Sequence, residues 1–504
     1  MLSTLAIVLL FCSGLLADGP DTRLTILHVN DYHGRILPSI DKQIDPKKEV
    51  GGAAYLAALI KEERAKNPGG TLLLAAGDMF QGSPESNLSL GAPVIEMMNE
   101  LKFDGMALGN HEFDWGMGVL RDMRKKASFP FLTANIVTDK GIFLPGMRPY
   151  RIVQRNGAKV AIIGVTTQET GYTTKPDNVK DLVFLNPESM LPRLIKEVRG
   201  QGASVVIVLS HLGKDVDERL ASAVPGIDVI VGGHTHTEIS RPFKAGNGTV
   251  IVQAGAYGAY VGVLEMNIDP QTGRVTGFAD TSGLKLVSAG PQDKADRKTA
   301  LMVKRYEERL KPIFAVVKGE TSVDLVTHRD RESNLGNLIT DAMREASGAS
   351  IAVQNSGGIR APVFTGPINM RQVYTTLPFD NWLITMDLTE AQLITMLEES
   401  ESSEQGLLQV SGLTVSYDRK KPPRKRVVKV TVNGAPLDPT KPHPTRTYRV
   451  VTNDFLAAGG DRIDVLTKGK GPRRGDNLRD VFVQYLEKHR PVAPKVEGRI
   501  VFVE

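Results

Sequence analysis

The sequence predicts an α/β protein of two domains joined by a helix, and three observations support that prediction. The chain has 504 residues, which is enough for two or three domains. Its first half repeats apolar runs that end in Gly, Asp, Asn or His, with helical segments between them. Its second half mixes helical patterns with alternating strand patterns and follows a charged helical stretch.

Five apolar runs of strand length organise the first half. They occupy residues 24–31, 71–78, 105–111, 205–211 and 227–236. Continuous Val, Ile and Leu are typical of strands buried on both faces, and helical segments such as 53–66 and 191–201 would cover them. Because ligands collect at the carboxyl ends of such strands, we expect the polar residues at the five ends to converge on one site.

The charged stretch at residues 291–318 predicts a helix up to Pro312 and is the candidate connector. Beyond it, a separate α/β domain is predicted from periodic and alternating segments. The predicted helices are 332–347, 388–400 and 477–489, and the predicted strands lie in 350–360, 407–418 and 426–438. Asn433-Gly434 indicates a hairpin turn. We therefore expect a signal peptide at 1–17, a first domain at 18–290, the connector at 291–318 and a second domain at 319–504.

The termini and composition predict a freely secreted protein. An apolar block before Ala17 is typical of a cleaved secretory signal, and the only cysteine, Cys12, lies inside it. The final residues, VEGRIVFVE, lack the spacer and hydrophobic tail of a lipid anchor, so no membrane anchor is expected. Sequons at Asn87 and Asn247 predict a glycoprotein. The net charge of +5 suits solubility; weak binding to anionic surfaces is the alternative, and no nucleic-acid partner is expected.

Eight polar side chains stand at the predicted strand ends. They are Asp31, His33, Asp78, Asn110, His111, His211, His234 and His236. Mixed carboxylate and imidazole ligands suit zinc, manganese or iron more than calcium or magnesium. Eight groups are too many for one tetrahedral ion, but they suit two ions about 3.5–4 Å apart that share a carboxylate. Such a pair activates water for in-line displacement at phosphorus, which predicts hydrolysis of a phosphate ester or anhydride.

The order D-x-H, GD, GNHE-F-D, a lone His and GHTH resembles the calcineurin-like metallophosphoesterase superfamily. The surrounding residues resemble its 5'-nucleotidase family, which includes secreted apyrases, over nearly the whole mature chain. The resemblance implies a four-layer N-terminal domain, a β-sandwich flanked by helices. It also implies that a helix joins this domain to a C-terminal α/β domain that binds the nucleotide.

The resemblance also implies roles for the polar cluster. Asp31, His33 and His236 would hold the first metal ion, Asn110, His211 and His234 would hold the second, and Asp78 would bridge both. His111 would be the catalytic histidine and Asp114 its partner, because a carboxylate bonded to imidazole fixes the ring and favours its protonated form. The cofactors implied are two divalent ions, with zinc expected and manganese, magnesium, calcium or cobalt as alternatives.

Substrate-binding residues are implied in the second half. They are Arg329, Asn355, Arg360, Phe379, Gly412, Phe455 and Asp461. The arginines would grip phosphate, because a guanidinium fork suits phosphate oxygens. The two phenylalanines would stack on the base, Asp461 would accept from the ribose hydroxyls, and Gly412 would border the base pocket.

The expected function is therefore release of phosphate from extracellular adenine nucleotides, either as a 5'-nucleotidase on AMP or as an apyrase on ATP and ADP. Two alternatives stay open. One is a broad phosphomonoesterase or cyclic-nucleotide diesterase with the same metals. The other is a secreted integrin-binding protein that uses Arg474-Gly475-Asp476. The basic segments 420–426 and 468–476 are predicted as solvated loops.

Overall fold

The computed structural model of the chain describes residues 22–41 and 43–503. The predicted signal peptide at 1–17, with Cys12, lies outside the described residues. Within that described part, no helix combines the length and the apolar character that a membrane crossing needs.

Two β-sheets packed face to face form the centre of the first half. The first contains, in spatial order, Val275–Phe278, Tyr260–Ile268, Thr22–Val29, Thr71–Ala75, Gly105–Ala107 and Phe131–Leu132, with Gly283–Leu286 also paired to Tyr260–Ile268. The second contains Phe243–Lys244, Val250–Val252, Val229–Val231, Val205–His211, Ala158–Thr166 and Tyr150–Arg155. Leu, Ile and Val side chains from both sheets, such as Ile26, Leu74 and Ile207, form one buried cluster between them.

Helices cover the outer faces of both sheets, as the buried apolar runs predict. On the first sheet they are Ala53–Lys66, Ala92–Glu100 and Gly116–Lys126, and the short helices Pro84–Asn87 and Pro176–Val179 contact the last two of these. On the second sheet they are Pro187–Gly200 and Lys214–Ala223. A further short helix is Thr170–Thr173. Two small antiparallel sheets pair Ser39–Asp41 with Asp45–Val50 and Ile136–Thr138 with Leu182–Phe184. The expected four layers, a β-sandwich flanked by helices, are therefore present.

The connector is a helix, Arg297–Phe314, preceded by the short turn Gln292–Lys294. The prediction that the helix stops at Pro312 is wrong, because the helix continues through Pro312 to Phe314. Leu310 and Phe314 are buried, and their packing offsets the hydrogen bond that proline cannot donate. Met302 and Val303 pack into the core of the first half, so the connector is docked rather than free.

The second half is a separate α/β unit with three sheets. The five-stranded sheet has the order Leu408–Ser411, Ile351–Asn355, Thr447–Asn453, Trp382–Thr389 and Lys470–Asn477. The four-stranded sheet has the order Ala435–Leu437, Val427–Val432, Leu413–Asp418 and Ile500–Val503, and Val317–Thr321 pairs with Gly366–Asn369. The helices of this half are Asn334–Ser347, Met370–Thr376, Glu390–Glu401, Asp454–Ala457 and Leu478–Lys488, with short turns at Ser356–Gly358, Gly460–Arg462 and Asp464–Lys468. The corresponding short turn of the first half is His111–Phe113.

Two predictions for the second half need correction. The basic segment 468–476 is not a free loop, because Lys470–Asn477 is an edge strand paired with Trp382–Thr389. The segment 407–418 is two strands in different sheets rather than one, and the chain turns between them at Gly412, where φ is 78°. The other basic segment, 420–426, is an exposed loop as predicted.

Candidate active site

A cleft of about 1860 Å³ lies between the two halves and is lined by residues of both. The polar clusters at the strand ends of the first half open into it. Asp78, Asn110, His111, His234 and His236 are among the lining residues. The expectation that the strand ends converge on one place is confirmed.

The backbone at these strand ends is unusual. Asp31, His33, Asp78, His234 and His236 all have positive φ, between 48° and 77°. Non-glycine residues adopt this left-handed conformation at a cost of about 1–3 kcal/mol each, and such residues cluster at functional sites.

Asp31, His33 and His236 form the first group of candidate metal ligands. Nε2 of His236 lies 3.1 Å from Nε2 of His33 and 3.4 Å from Oδ1 of Asp31. Nδ1 of His33 donates to the carbonyl of Gln81 at 2.9 Å, so its Nε2 keeps a lone pair that faces the group. Two imidazole nitrogens and a carboxylate oxygen converging in this way suit a divalent cation.

Asp78, His211 and His234 form the second group. Nδ1 of His211 donates to the carbonyl of Ala76 at 2.7 Å, and its Nε2 lies 3.1 Å from Oδ2 of Asp78. Buried polar atoms are normally hydrogen-bonded. Within the described residues, Oδ1 of Asn110 is buried and has no hydrogen-bond partner, and Nε2 of His211 faces the Asp78 carboxylate. A bound cation would satisfy Oδ1 of Asn110 and could take the place of the proton between His211 and Asp78, so the residues fit a metal.

The Asp78 carboxylate lies between His111 and His211. Its Oδ1 accepts from the backbone N–H of His111 at 2.9 Å. Burial alone would raise the pKa of Asp78, but the neighbouring His211 and His111 outweigh it and hold the pKa well below its usual range. The carboxylate therefore stays ionised, as a metal ligand must.

His111 and Asp114 form a close pair. Nδ1 of His111 lies 2.7 Å from Oδ2 of Asp114, and the hydroxyl of Thr174 donates to Oδ1 of the same carboxylate at 2.7 Å. Burial lowers the pKa of His111, but the carboxylates of Asp114 and Asp78 more than offset it, and the net shift is upward. The imidazolium form is thereby favoured at the floor of the cleft.

Six of the seven predicted substrate-binding residues line the same cleft. They are Arg329, Asn355, Arg360, Phe379, Phe455 and Asp461. Nδ2 of Asn355 donates to Oδ2 of Asp461 at 2.9 Å, which fixes the carboxylate at the end of strand Ile351–Asn355. Burial raises the pKa of Asp461 to about 6, and the hydrogen bond from Asn355 opposes that shift.

The two phenylalanines differ in their surroundings. The ring of Phe379 stacks on His111, with ring centroids 5.7 Å apart and planes 29° apart. Phe455 lies on the short helix Asp454–Ala457 and packs partly against the core of the second half. Both rings are half-buried and both reach the cleft. Phe379 of the second half therefore contacts His111 of the first half.

The expectation that Gly412 borders the base pocket needs correction, because Gly412 is not among the residues that line the cleft. An added Cβ at Gly412 would lie 2.1 Å from the carbonyl oxygen of Ser350, so its role is a tight turn between two strands. We leave Gly412 out of the candidate site.

Four of the site residues that sequence reasoning did not name contact the predicted ones or line the cleft. The carboxylate of Glu112 accepts from the backbone N–H groups of Asp78, Met79 and Gly109 at 2.7–2.8 Å and so shapes the ligand loops. Tyr257 contacts the rings of His33 and His236 at 5.5 and 5.4 Å. Glu169 and Gln405 also line the cleft. Only Glu112 could have been found from sequence, since it lies inside the GNHEFD motif.

Family models match both halves of the chain. The calcineurin-like phosphoesterase model matches residues 24–238, and the model of the 5'-nucleotidase C-terminal domain matches residues 314–468. The snake venom 5'-nucleotidase of Crotalus adamanteus is 33% identical over 98% of this chain and 91% of its own length. The chain belongs to the 5'-nucleotidase family.

Other members of the 5'-nucleotidase family are similar over comparable lengths. The 5'-nucleotidase of Homo sapiens is 32% identical over 95% of this chain and 91% of its own. The crystal structure of a 5'-nucleotidase precursor from Thermus thermophilus superimposes with a TM-score of 0.86 and 35% identity, covering 95% of this chain and 99% of that one. The 5'-nucleotidase family hydrolyses nucleotides, and its phosphoesterase domain uses divalent metals.

Proposed function

We propose that the protein is a secreted 5'-nucleotidase that holds two divalent metal ions and releases phosphate from extracellular nucleotides. The observation that carries the proposal is the single cleft, which joins two candidate ligand groups to cationic, aromatic and carboxylate side chains of the second half. A nucleotide needs each of these features at once: its phosphate requires cations, its base a flat apolar surface and its ribose a hydrogen-bond acceptor.

Seven side chains would hold the ions. Asp31, His33 and His236 serve the first ion, Asn110, His211 and His234 serve the second, and Asp78 bridges them. When bound, two such ions activate water and neutralise charge on the attacking and leaving oxygens of an in-line displacement. Zinc is the expected metal, because imidazole and carboxylate are its usual ligands.

His111 would stabilise charge at the transferred phosphoryl group. Its Nδ1 is hydrogen-bonded to Asp114, so Nε2 is the ring nitrogen that can face a phosphate oxygen or the leaving group. The carboxylates of Asp114 and Asp78 shift the pKa of His111 upward, which favours the protonated ring. Asp114, itself held by Thr174, fixes the ring orientation.

The second half would bind the rest of the nucleotide. Arg329 and Arg360 bind phosphate, Phe379 and Phe455 contact the base, and the Asp461 carboxylate, fixed by Asn355, accepts from the ribose hydroxyls. Base stacking on an aromatic ring tolerates different bases, so we expect a preference for adenine nucleotides without strict selectivity.

A substrate panel tests this function. Phosphate release is measured from AMP, ADP, ATP, 3'-AMP and 4-nitrophenyl phosphate, with and without a chelator. AMP should be hydrolysed fastest, with ADP and ATP as further substrates, 3'-AMP should be poor, and the chelator should abolish every activity. Rates on 3'-AMP and 4-nitrophenyl phosphate that equal the rate on AMP would instead favour a broad phosphomonoesterase. Turnover that the chelator does not reduce would overturn the metal assignment.

Secretion is supported by the apolar segment before Ala17 and by the venom relative. Expression of the full chain in eukaryotic cells should deliver the protein to the medium, cleaved near Ala17. Retention inside the cells would contradict this part of the proposal.

A further inference from the structure

One carboxylate of the cleft touches both halves of the molecule. Glu169 follows the strand Ala158–Thr166 and precedes the short helix Thr170–Thr173. Its Oε2 lies 3.2 Å from Nε2 of His234, a member of the second ligand group. The same oxygen accepts from Nε2 of Gln405, in the second half of the chain, at 3.2 Å.

The contact with Glu169 decides which nitrogen of His234 can bind a metal. An ionised carboxylate only accepts hydrogen bonds, so Nε2 of His234 must carry the proton and Nδ1 keeps its lone pair. Across residues 22–41 and 43–503, no hydrogen bond occupies that Nδ1. The partner of one ring nitrogen thus determines the binding nitrogen, as it does in metal sites generally.

His33 and His211 are fixed in the same manner but by different partners. Each donates from Nδ1 to a backbone carbonyl, that of Gln81 or of Ala76. These carbonyls belong to the first half of the chain and no side-chain substitution removes them. His234 alone among these three histidines depends on a side chain, and that side chain is held from the second half.

Other contacts between the two halves lie near Glu169 without touching its carboxylate. Nζ of Lys175 lies 2.8 Å from Oδ2 of Asp454, and the guanidinium of Arg462 lies 4.2 Å above the ring of Tyr172. The side chain of Glu169 is 28% exposed and that of His234 16% exposed, so both lie at the wall of the cleft rather than in bulk solvent. The carboxylate is therefore held at a boundary between the two halves.

We propose that Glu169 is a positioning residue that orients the His234 imidazole for metal binding, and that Gln405 holds its carboxylate in place from the second half. Metal affinity at the second ligand group thus depends on one hydrogen bond between the halves, from Gln405 to Glu169. This inference rests on the proposed two-metal function. It assigns no direct contact between Glu169 and the ion or the substrate.

Calorimetric titration of the metal-free full-length protein with Zn²⁺ tests the inference without measuring turnover. Loss of a carboxylate that orients a ligand histidine typically lowers metal affinity about 10–100-fold. We expect Glu169→Ala to do so at one of the two sites and to leave the other unchanged. Glu169→Gln should retain most of the affinity, because its amide oxygen still accepts from Nε2–H. Gln405→Ala should weaken the same site by a smaller factor.

Lys175→Ala is the matched control, because it removes a contact between the halves that touches no histidine. It should bind Zn²⁺ as the wild type does. Wild-type affinity in Glu169→Ala, or an equal loss in Lys175→Ala, would overturn the inference and leave the proposed function standing. If Glu169→Ala fails to fold, wild-type affinity in Gln405→Ala has the same meaning. A wild-type chain that binds no divalent metal would overturn both.

Discussion

At the scale of single residues, the motif GNHEFD divides its tasks between neighbours. Asn110 and His111 are adjacent, yet Oδ1 of Asn110 is buried without a partner while the His111 ring is bonded to Asp114 and stacked on Phe379. The third member, Glu112, points back to tie the ligand loops together. The convergence of the polar residues at the strand ends could be predicted from sequence. The role of Glu169 could not, because its partners lie 65 and 236 positions away.

Substitutions of the adjacent pair should separate metal binding from turnover. Asn110→Ala should lower the metal content, because it removes a lone pair from the second group. His111→Ala should leave both metals bound and depress turnover by about 10²–10⁴-fold, the usual contribution of a positioned proton-transfer group. Metal analysis and kcat on the same preparations check both outcomes. Metal loss in His111→Ala would mean that the two roles are reversed.

Asp461 should make nucleoside binding sensitive to pH. Burial raises its pKa to about 6, so the carboxylate is ionised above that pH and protonated below it. Only the ionised form offers its full set of acceptors to ribose, and adenosine has no phosphate that titrates in this range. The dissociation constant of adenosine, measured calorimetrically, should therefore rise as pH falls through about 6. In Asp461→Asn it should be flat across the same range, and an unchanged pH dependence there would contradict the assignment.

At the scale of elements, the strands and helices that carry strong periodicity could be predicted, and irregular backbone could not. The helix Ala53–Lys66 begins and ends at the predicted residues. The positive φ values at Asp31 and His33 could not be predicted from the residue types, because the packing of the surrounding loops imposes them. The edge strand Lys470–Asn477 was missed because its charged and glycine-rich composition is typical of loops, whereas backbone pairing with its neighbour defines it.

The short helix Asp454–Ala457 presents Phe455 to the cleft, and its loss should affect nucleotides selectively. Stacking of a base on an aromatic ring contributes about 1–3 kcal/mol. Phe455→Ala should therefore raise KM for AMP but spare hydrolysis of 4-nitrophenyl phosphate, which has no base. Steady-state kinetics on both substrates check this. Equal loss on both would eliminate the stacking role.

The edge strand Lys470–Asn477 also bears on the alternative of integrin binding. The tripeptide Arg474-Gly475-Asp476 lies within this paired strand, and the guanidinium of Arg474 is 3.7 Å above the ring of Trp382. Both features hold the tripeptide in the sheet instead of at the tip of a loop. We expect the purified protein to leave integrin-mediated cell adhesion unchanged. Inhibition that disappears in Asp476→Ala would revive the alternative.

At the scale of the whole molecule, the site exists because two halves of the chain face one cleft. Sequence motifs predicted both halves and twelve of the residues that line the cleft, because each motif is local. The meeting of Phe379 with His111, and of Gln405 with Glu169, depends on how the docked helix Arg297–Phe314 sets one half against the other. The domain limits at 290 and 318 stay a prediction from the charged stretch that contains this helix. Placement of this kind is fixed by packing between distant segments and has no local sequence pattern.

The central claim is that two ions bound in this cleft enable nucleotide hydrolysis, and a metal reconstitution tests it most directly. Metal-free protein is titrated with Zn²⁺ while bound metal and phosphate release from AMP are measured together. The two ligand groups predict that activity returns only as occupancy approaches two ions per chain. Full activity in the metal-free protein, or saturation of activity at one ion per chain, would contradict the account.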